Sequence, residues 1–279
     1  MQFSVLLSIY YKEDPLLFHR AMVSIYEEQT LKPDEIVLVQ DGPLPKDLSD
    51  AIVYWQKALP EVFKTIPLSE NQGLGIALAI GLEACSHSIV ARMDTDDIAL
   101  PNRFERQIAY FNDKEVMSRV PYPIDICGSW VDEFETDELC NTSTRRLPEF
   151  HSELIKFAKR RNPINHPSVM FKKDLILKAG NYQKMPYFED WYLWVRAILC
   201  DAHLYNIQES LVKMKAGYEQ LERRRGKNYA KNEFNFLKAL KRLNFLNFYQ
   251  YVFFLFRVTV RIFPKKMVHY IYKLLRGKK

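Results

Sequence analysis

The chain has 279 residues, of which 48% are hydrophobic, which is enough apolar material for one α/β domain or two small ones. Its net charge of +6 is unevenly placed, because residues 1–222 carry a net −9 and residues 223–279 a net +15, with Glu233 the one acid among 16 Lys and Arg. Four scattered cysteines exclude a zinc motif and indicate free thiols in a reducing cytoplasm.

Strands and helices are predicted to alternate along the first 115 residues. The apolar stretch 2–9 reads as a strand, and the charged residues 12–14 that follow it argue against a signal peptide. A helix is predicted to begin at Pro15. Further strands are predicted over residues 35–39, 63–68 and 89–93, and further helices over 48–59, 76–85 and 103–111. This alternation favours an α/β fold with a mostly parallel, doubly wound sheet and flanking helices.

Three carboxylates, Asp94, Asp96 and Asp97, follow the predicted strand 89–93. Like charges this close repel, and a divalent cation relieves the repulsion. Hard carboxylate oxygens suit Mg²⁺ or Mn²⁺, and ligands of open α/β sheets bind at the carboxyl ends of strands. The alternative is a solvated acidic loop before Ile98.

Four short motifs, taken together, resemble those of family 2 glycosyltransferases with the GT-A fold. They are Ser8-Ile9-Tyr10-Tyr11, Val39-Gln40-Asp41-Gly42, Glu70-Asn71-Gln72-Gly73-Leu74-Gly75 and Arg92-Met93-Asp94-Thr95-Asp96-Asp97. The segments 101–105 and 188–191 fit the same pattern, so the resemblance covers roughly residues 1–215. It is closest to bacterial enzymes that extend lipid-linked O-antigen or capsule sugars.

The resemblance implies a nucleotide-sugar-binding half in residues 1–115. Asp41 is expected to bind the nucleotide base, with Glu13 at the rim of the pocket. Asp94 and Asp96 match the family's Asp-x-Asp motif, which meets the ribose and the metal-bound diphosphate, and Asp97 extends it. The expected metal ligands are Asp96 and Asp94, for Mn²⁺ or Mg²⁺. The remaining positions of the nucleotide-sugar set are Ser8, Tyr10, Asn71, Gly73 and Arg92.

The second half, residues 116–222, is implied to bind the acceptor and to carry the catalytic base. Asp190 matches the family's base, with Glu189 beside it. An attacking sugar hydroxyl needs such a base on the face of the donor ring opposite the departing nucleotide, and one base without a covalent intermediate inverts the anomeric centre. The alternative for this acidic pair is a helix N-terminus, where acids are favourable, and both interpretations are compatible.

Three basic residues are further candidates for the diphosphate. His166 lies in a His-Pro-Ser segment common in the family, where it is expected near the diphosphate or the acceptor, although it also fits an ordinary turn histidine. Arg145 and Arg146 are the other candidates, and a solvated surface pair is the alternative for them.

The basic tail, residues 223–279, is predicted to form amphipathic helices that associate with a membrane. In a helix over residues 243–263, five polar side chains fall on one narrow face, and the rest of the surface is rich in aliphatic and aromatic residues; the five are Asn244, Asn247, Gln250, Arg257 and Arg261. The uncharged run 243–256 is too short to span a bilayer, so the helix is expected to lie in the interface, with basic residues at the headgroups and the stretch 265–279 adding six more. The alternative is a helix packed on the catalytic domain.

The resemblance therefore implies a metal-dependent inverting glycosyltransferase. We expect it to move a hexose, glucose or galactose, from a UDP-sugar to a polyprenyl-diphosphate-linked sugar such as GlcNAc-diphospho-undecaprenol in surface polysaccharide synthesis. Its expected location is peripheral, on the cytoplasmic face of the bacterial inner membrane. The alternative is a non-catalytic protein that binds a nucleotide sugar or a nucleic acid, although no RNA-binding module signature is present.

Overall fold

The computed structural model describes residues 1–216 and 226–262, which belong to two compact units, Met1–Ala216 and Gly217–Lys279. The first unit contains one mixed sheet in the strand order β3-β2-β1-β4-β8-β6-β9-β5, with β7 paired to β6. The strands are β1 Phe3–Ile9, β2 Glu35–Gln40, β3 Phe63–Pro67, β4 Ile89–Arg92, β5 Ile98–Ala99, β6 Ile126–Phe134, β7 Ser143–Arg145, β8 Met170–Lys172 and β9 Leu204–Lys215.

Helices flank this sheet. They are α1 Pro15–Met22, which continues into a π-helical turn at Val23–Glu27, α2 Lys46–Ala58, α3 Leu74–Ala84, α4 Arg103–Asn112, α5 Lys114–Ser118, α6 His151–Ala158, α7 Lys173–Lys178 and α8 Glu189–Leu199. A short 3-10 turn spans His166–Ser168. The predicted helices and strands of residues 1–115 are all present, and each predicted bound lies within two residues of the observed one.

The core lies on both faces of β1, because its side chains alternate. Phe3, Val5 and Leu7 belong to one buried cluster, and Leu6 belongs to the other. Strands that are buried on both faces read as continuous apolar runs, which is why the sequence revealed them. The helix α3 approaches the second face closely, since a Cβ added to Gly81 would lie 2.5 Å from a methyl carbon of Leu6.

The prediction of an α/β fold with a mostly parallel sheet is confirmed, and the short strands β5, β7 and β8 run antiparallel to their neighbours. Strands β3, β2, β1 and β4 run parallel, whereas β8 lies antiparallel between β4 and β6. Strand β6 consequently runs in the same direction as β4. The carboxyl ends of β1, β2, β4 and β6 therefore meet at one edge of the sheet, which we call the carboxyl edge.

The second unit contains two described helices, α9 Gly226–Arg242 and α10 Phe248–Ile262. The predicted single helix over residues 243–263 is therefore shorter, because residues 243–247 connect α9 to α10 and Asn244 adopts a left-handed backbone with φ 53°. None of the described helices is long and apolar enough to cross a membrane. The basic stretch 265–279 and the predicted boundary at 222/223 lie outside the described residues.

Candidate active site

The carboxyl edge of the sheet brings together the residues predicted to bind the nucleotide. Ile9 pairs with Gln40 across β1 and β2, and Leu6 pairs with Arg92 across β1 and β4. The chain consequently leaves the sheet side by side at Tyr10, at Asp41 and at the loop after β4. We call this loop, residues 93–97, the acidic loop. Among the other predicted residues here, Ser8, Tyr10 and Glu13 are half-buried.

Asp41 is buried and holds the loop that precedes α3. Its two carboxylate oxygens accept the backbone amides of Gln72 at 2.7 Å and Gly73 at 3.0 Å, while the Asn71 side chain donates to the Asp41 carbonyl at 3.1 Å. The next residue, Gly42, has φ 90°, and a Cβ there would lie 2.6 Å from the Asn71 nitrogen. Asp41 therefore ties the strand end to the loop, and its role in base binding stays a prediction.

Arg92 lies beneath the acidic loop. Its side chain is fully buried and forms an ion pair with Asp94, a half-exposed residue. Its Nε and Nη1 have no hydrogen-bond partner among the residues that the structure describes. The buried guanidinium is a fixed positive charge that orients Asp94, and the role of Arg92 in binding the nucleotide sugar stays a prediction.

A second guanidinium supports this loop from α4. The Arg103 Nη2 donates to the Arg92 carbonyl at 2.6 Å, and its Nε donates to Gln107 at 3.1 Å. Burial, together with the neighbouring Arg92 charge, lowers the pKa of Arg103 to about 9. Arg103 thus fixes the backbone at the end of β4, from which the acidic loop begins.

The acidic loop is crowded with negative charge. Burial, and then the Asp94 carboxylate, raise the pKa of Asp96 to about 6. Burial and the two neighbouring carboxylates also raise the pKa of Asp97. Asp97 Oδ1 accepts the backbone amide of Lys215 at 2.8 Å, whereas Oδ2 is buried without a hydrogen bond to any described residue.

These carboxylates fit a divalent cation in their chemistry, because a cation relieves the repulsion that raises their pKa values. Within residues 1–216 and 226–262, no three His, Cys, Asp or Glu side chains are arranged to hold a metal ion by themselves. One or two carboxylates completed by substrate phosphates are a common way to bind Mg²⁺, and that arrangement needs no such cluster.

The candidate base lies at the start of α8. Asp190 Oδ1 accepts its neighbour's amide, Trp191 N, at 2.7 Å, and Oδ2 accepts the side-chain amide of Asn162. Burial raises the pKa of Glu189 to about 7, and the adjacent Asp190 adds to this shift. The helix N-terminus interpretation is confirmed, because α8 begins at Glu189, and it is compatible with a role in the cleft.

Sequence reasoning missed Asn162 and Tyr182. The Tyr182 hydroxyl lies 3.0 Å from His166 Nε2. Burial raises the pKa of Tyr182, the Arg92 charge opposes this, and Asp190 and Asp94 add to it. The charges of the acidic loop and of the candidate base therefore both act on Tyr182, and no local motif around Asn162 or Tyr182 signals these interactions.

The other basic candidates have distinct surroundings. Burial lowers the pKa of His166 well below its usual value, and the nearby Arg92 lowers it further. His166 is therefore neutral near pH 7. Arg145 pairs with Glu133 on the adjacent strand, and the Arg146 guanidinium lies 5.2 Å from the ring centre of Trp130. Both arginines thus have partners on β6.

Comparison with known proteins shows matches along nearly the whole chain. The family described as "Glycosyl transferase family 2" matches residues 4–175. The amylovoran biosynthesis glycosyltransferase AmsE of Erwinia amylovora is 40% identical over 274 residues, covering 97% of this chain and 98% of that protein. The UDP-Gal:alpha-D-GlcNAc-diphosphoundecaprenol beta-1,3-galactosyltransferase of Escherichia coli is 35% identical over 273 residues, covering 98% and 95%.

Solved structures share the fold at low sequence identity. TarS 1–349 of S. aureus in complex with UDP-GlcNAc superposes with a TM-score of 0.64 at 15% identity, covering 94% of this chain and 72% of that one. The mannosyltransferase PcManGT of Pyrobaculum calidifontis, in complex with GDP-Man and Mn²⁺, gives a TM-score of 0.58 at 14% identity, covering 86% and 61%.

Proposed function

The chain belongs to glycosyl transferase family 2, and from this membership we propose that it moves a hexose, glucose or galactose, from a UDP-sugar to a sugar carried on a polyprenyl diphosphate, such as GlcNAc-diphospho-undecaprenol. The proposed setting is the synthesis of a bacterial surface polysaccharide. Support comes from the two relatives described above, one named for amylovoran biosynthesis and the other for galactosyl transfer to this kind of acceptor, both matched over nearly their full length.

The observation that carries the proposal is that the start of α8 lies against the start of α3, next to the loop that Asp41 holds, because a Cβ added to Gly75 would lie 3.0 Å from the Glu189 Cγ. The acidic loop supplies one set of carboxylates at the same edge of the sheet, and Asp190 at the start of α8 supplies the other carboxylate. A transferase needs this pairing, because the departing diphosphate and the attacking hydroxyl lie on opposite sides of the transferred sugar. A protein that only binds nucleotide sugars does not need a base.

In the proposed mechanism Asp190 removes the proton from the acceptor hydroxyl. Its hydrogen bonds to Asn162 and to Trp191 N fix the direction of the carboxylate. Such positioning contributes because a base is effective only within hydrogen-bond reach of the proton that it takes. A single base with no covalent intermediate gives inversion at the anomeric carbon.

The donor side of the proposed mechanism rests on Asp94 and Asp96, which would hold Mn²⁺ or Mg²⁺ together with the donor diphosphate. Such an ion acts as a Lewis acid that neutralises charge on the departing nucleoside diphosphate. Arg92 orients the Asp94 carboxylate from below through their ion pair. We assign base binding to Asp41, and contacts with the rest of the nucleotide sugar to Ser8, Tyr10, Glu13, Asn71, Gly73, Arg92, Asp97 and His166.

The proposed division of labour follows the chain. Residues 1–115 bind the nucleotide sugar, residues 116–222 bind the acceptor and supply the base, and residues 223–279 associate with a membrane surface. We place the enzyme on the cytoplasmic face of the bacterial inner membrane, as a peripheral protein. The support for this is the proposed acceptor, which is a membrane lipid, and the net charge of +15 in residues 223–279.

The proposal is tested with purified full-length protein, a synthetic GlcNAc-diphosphate-lipid and a set of UDP-, GDP- and dTDP-hexoses. We expect transfer from UDP-glucose or UDP-galactose, measured by mass spectrometry of the lipid product, and loss of transfer in EDTA. Nucleotide-sugar binding without transfer to any acceptor would favour the binding-protein alternative. Transfer from a GDP- or dTDP-sugar alone would overturn the proposed donor class.

A further inference from the structure

The two helices of the second unit form a hairpin with an apolar inner side. Phe236, Leu237 and Leu240 of α9 are buried, as are Phe254 and Val258 of α10. The Phe236 and Phe254 rings pack with their centres 6.1 Å apart. One face of α10 is therefore used in the contact with α9.

An ion pair on the inner side changes the expected orientation of α10. Glu233 is fully buried, and Arg257 Nη2 donates to its Oε1 at 2.9 Å. The Arg257 guanidinium also lies 4.0 Å from the ring centre of Phe254. The expectation that Arg257 reaches lipid headgroups is therefore not met, because its charge is neutralised inside the hairpin.

The opposite side of α10 is exposed and aromatic. Phe248 is 74% exposed, Tyr249 82%, Val252 46%, Phe253 62% and Phe256 56%. With 3.6 residues per turn, spacings of one, three, one and three residues keep these side chains on one side of the helix. We call these five residues the outer face of α10. Adjacent exposed apolar residues of this kind mark an interaction site.

The hairpin also carries a basic stripe on α9. It consists of the exposed residues Lys227, Lys231, Lys238, Lys241 and Arg242. Their spacing places them on one side of the helix, away from its buried positions. Because the buried positions of α9 contact α10, this stripe points away from the outer face of α10 and does not share a surface with it. It belongs to a strongly basic unit, since residues 223–279 carry a net charge of +15. An exposed apolar helix face on a strongly basic unit is the combination that binds an anionic bilayer.

We propose that the outer face of α10 inserts into the interface of an anionic phospholipid bilayer, with the net charge of +15 in residues 223–279 drawing this unit to the headgroups. A second copy of the chain fits the outer face less well, because dimerisation there would bring two strongly basic units together. The proposal rests on the proposed function in one respect, namely that a lipid-linked acceptor requires the enzyme to work at a bilayer.

The test compares two double variants of the full-length protein, each of which replaces an exposed valine and a neighbouring exposed aromatic residue with glutamate. Val252→Glu/Phe253→Glu alters the outer face. Val53→Glu/Tyr54→Glu alters α2 of the first unit, where the two side chains are similarly exposed, at 43% and 55%. Both variants gain two negative charges, so a general electrostatic effect appears equally in both.

Binding is measured by co-sedimentation with phosphatidylglycerol-containing vesicles and with pure phosphatidylcholine vesicles, at ~0.15 M and ~1 M salt. We expect the α10 variant to bind anionic vesicles at least about tenfold more weakly than the α2 variant, since each buried apolar side chain contributes a substantial transfer term. High salt should weaken wild-type binding without abolishing it, because the apolar contribution is not screened.

Equal binding of the two variants would overturn the proposal. So would a wild-type dimer in sedimentation equilibrium that only the α10 variant dissociates, because the outer face would then be an interface between copies. Both variants should retain wild-type UDP binding and thermal unfolding. Transfer by the wild-type protein to a short, soluble acceptor analogue separates the two proposals. Absence of this transfer would overturn the proposed function and leave the vesicle result unaffected.

Discussion

The hydrogen bond from Asn162 to Asp190 yields a quantitative prediction about catalysis. Asn162→Ala removes a hydrogen bond that orients the proposed base and leaves the bond to Trp191 N, 2.7 Å long, in place. A hydrogen bond to a charged group contributes about 1.5–3 kcal/mol. If this contribution acts in the transition state, kcat falls about 10–150-fold with little change in the KM for the donor.

A second substitution at this position changes the pH dependence. Asn162→Asp places a carboxylate beside Asp190, and repulsion between like charges raises the pKa of the pair. The acidic limb of the kcat/KM profile should therefore move to higher pH. A purely structural role for Asn162 would lower stability without moving this limb.

The assay is steady-state transfer to the synthetic lipid acceptor, with calorimetric measurement of UDP binding alongside. Gln2→Ala is the matched control, because the Gln2 amide also bonds an aspartate, Asp34, but at the opposite edge of the sheet. We expect the control to behave as wild type. An Asn162→Ala enzyme within about threefold of the wild-type kcat would refute a positioning role.

Three further predictions follow from the same geometry. Asp190→Asn keeps the size of the side chain but removes its basicity, so kcat should fall on the order of 10²–10⁴-fold while UDP binding persists; near-wild-type turnover would move the role to Glu189. Asp96→Ala should abolish transfer and weaken Mn²⁺-dependent UDP binding in calorimetry without changing circular dichroism, and undiminished activity of wild type in EDTA would contradict a metal role. Glu35 is held by Ser4, Lys64 and Ser86, interactions that lower its pKa to about 2 against the burial that opposes them. Glu35→Gln should therefore lower the free energy of unfolding by about 2 kcal/mol near pH 7, after allowance for solvent around the exposed Lys64. Because the pKa of Glu35 is depressed in the folded state, this difference should be present above about pH 4.5 and vanish as the pH falls toward 2. Urea unfolding at a series of pH values measures it.

The sequence was sufficient where structure depends on local pattern. Strands β1, β2 and β4 are short apolar runs, and the parallel arrangement of such strands places the residues after them, Asp41 and Asp94, at one edge. The start of α8 at Glu189 follows from the acids that precede an apolar helical stretch. These features need no knowledge of distant contacts.

Contacts between distant segments were not accessible in this way. Asn162 meets Asp190 only because the chain path brings residues 28 apart together, and Tyr182 meets His166 for the same reason. The antiparallel insertion of β8 depends on pairing across the sheet, which no local pattern specifies. Glu233 carried a usable signal, because a lone acid in a strongly basic tail implies a buried partner, here Arg257.

The anomeric configuration of the product is a direct test of the role proposed for Asp190. A single base opposite the departing nucleotide, with no covalent sugar–enzyme intermediate, inverts the anomeric centre. Full-length protein is incubated with an α-linked UDP-hexose and the synthetic GlcNAc-diphosphate-lipid, and the anomeric proton of the product is examined by NMR. We predict a β-linked hexose, and an α-linked product would contradict the assigned role of Asp190.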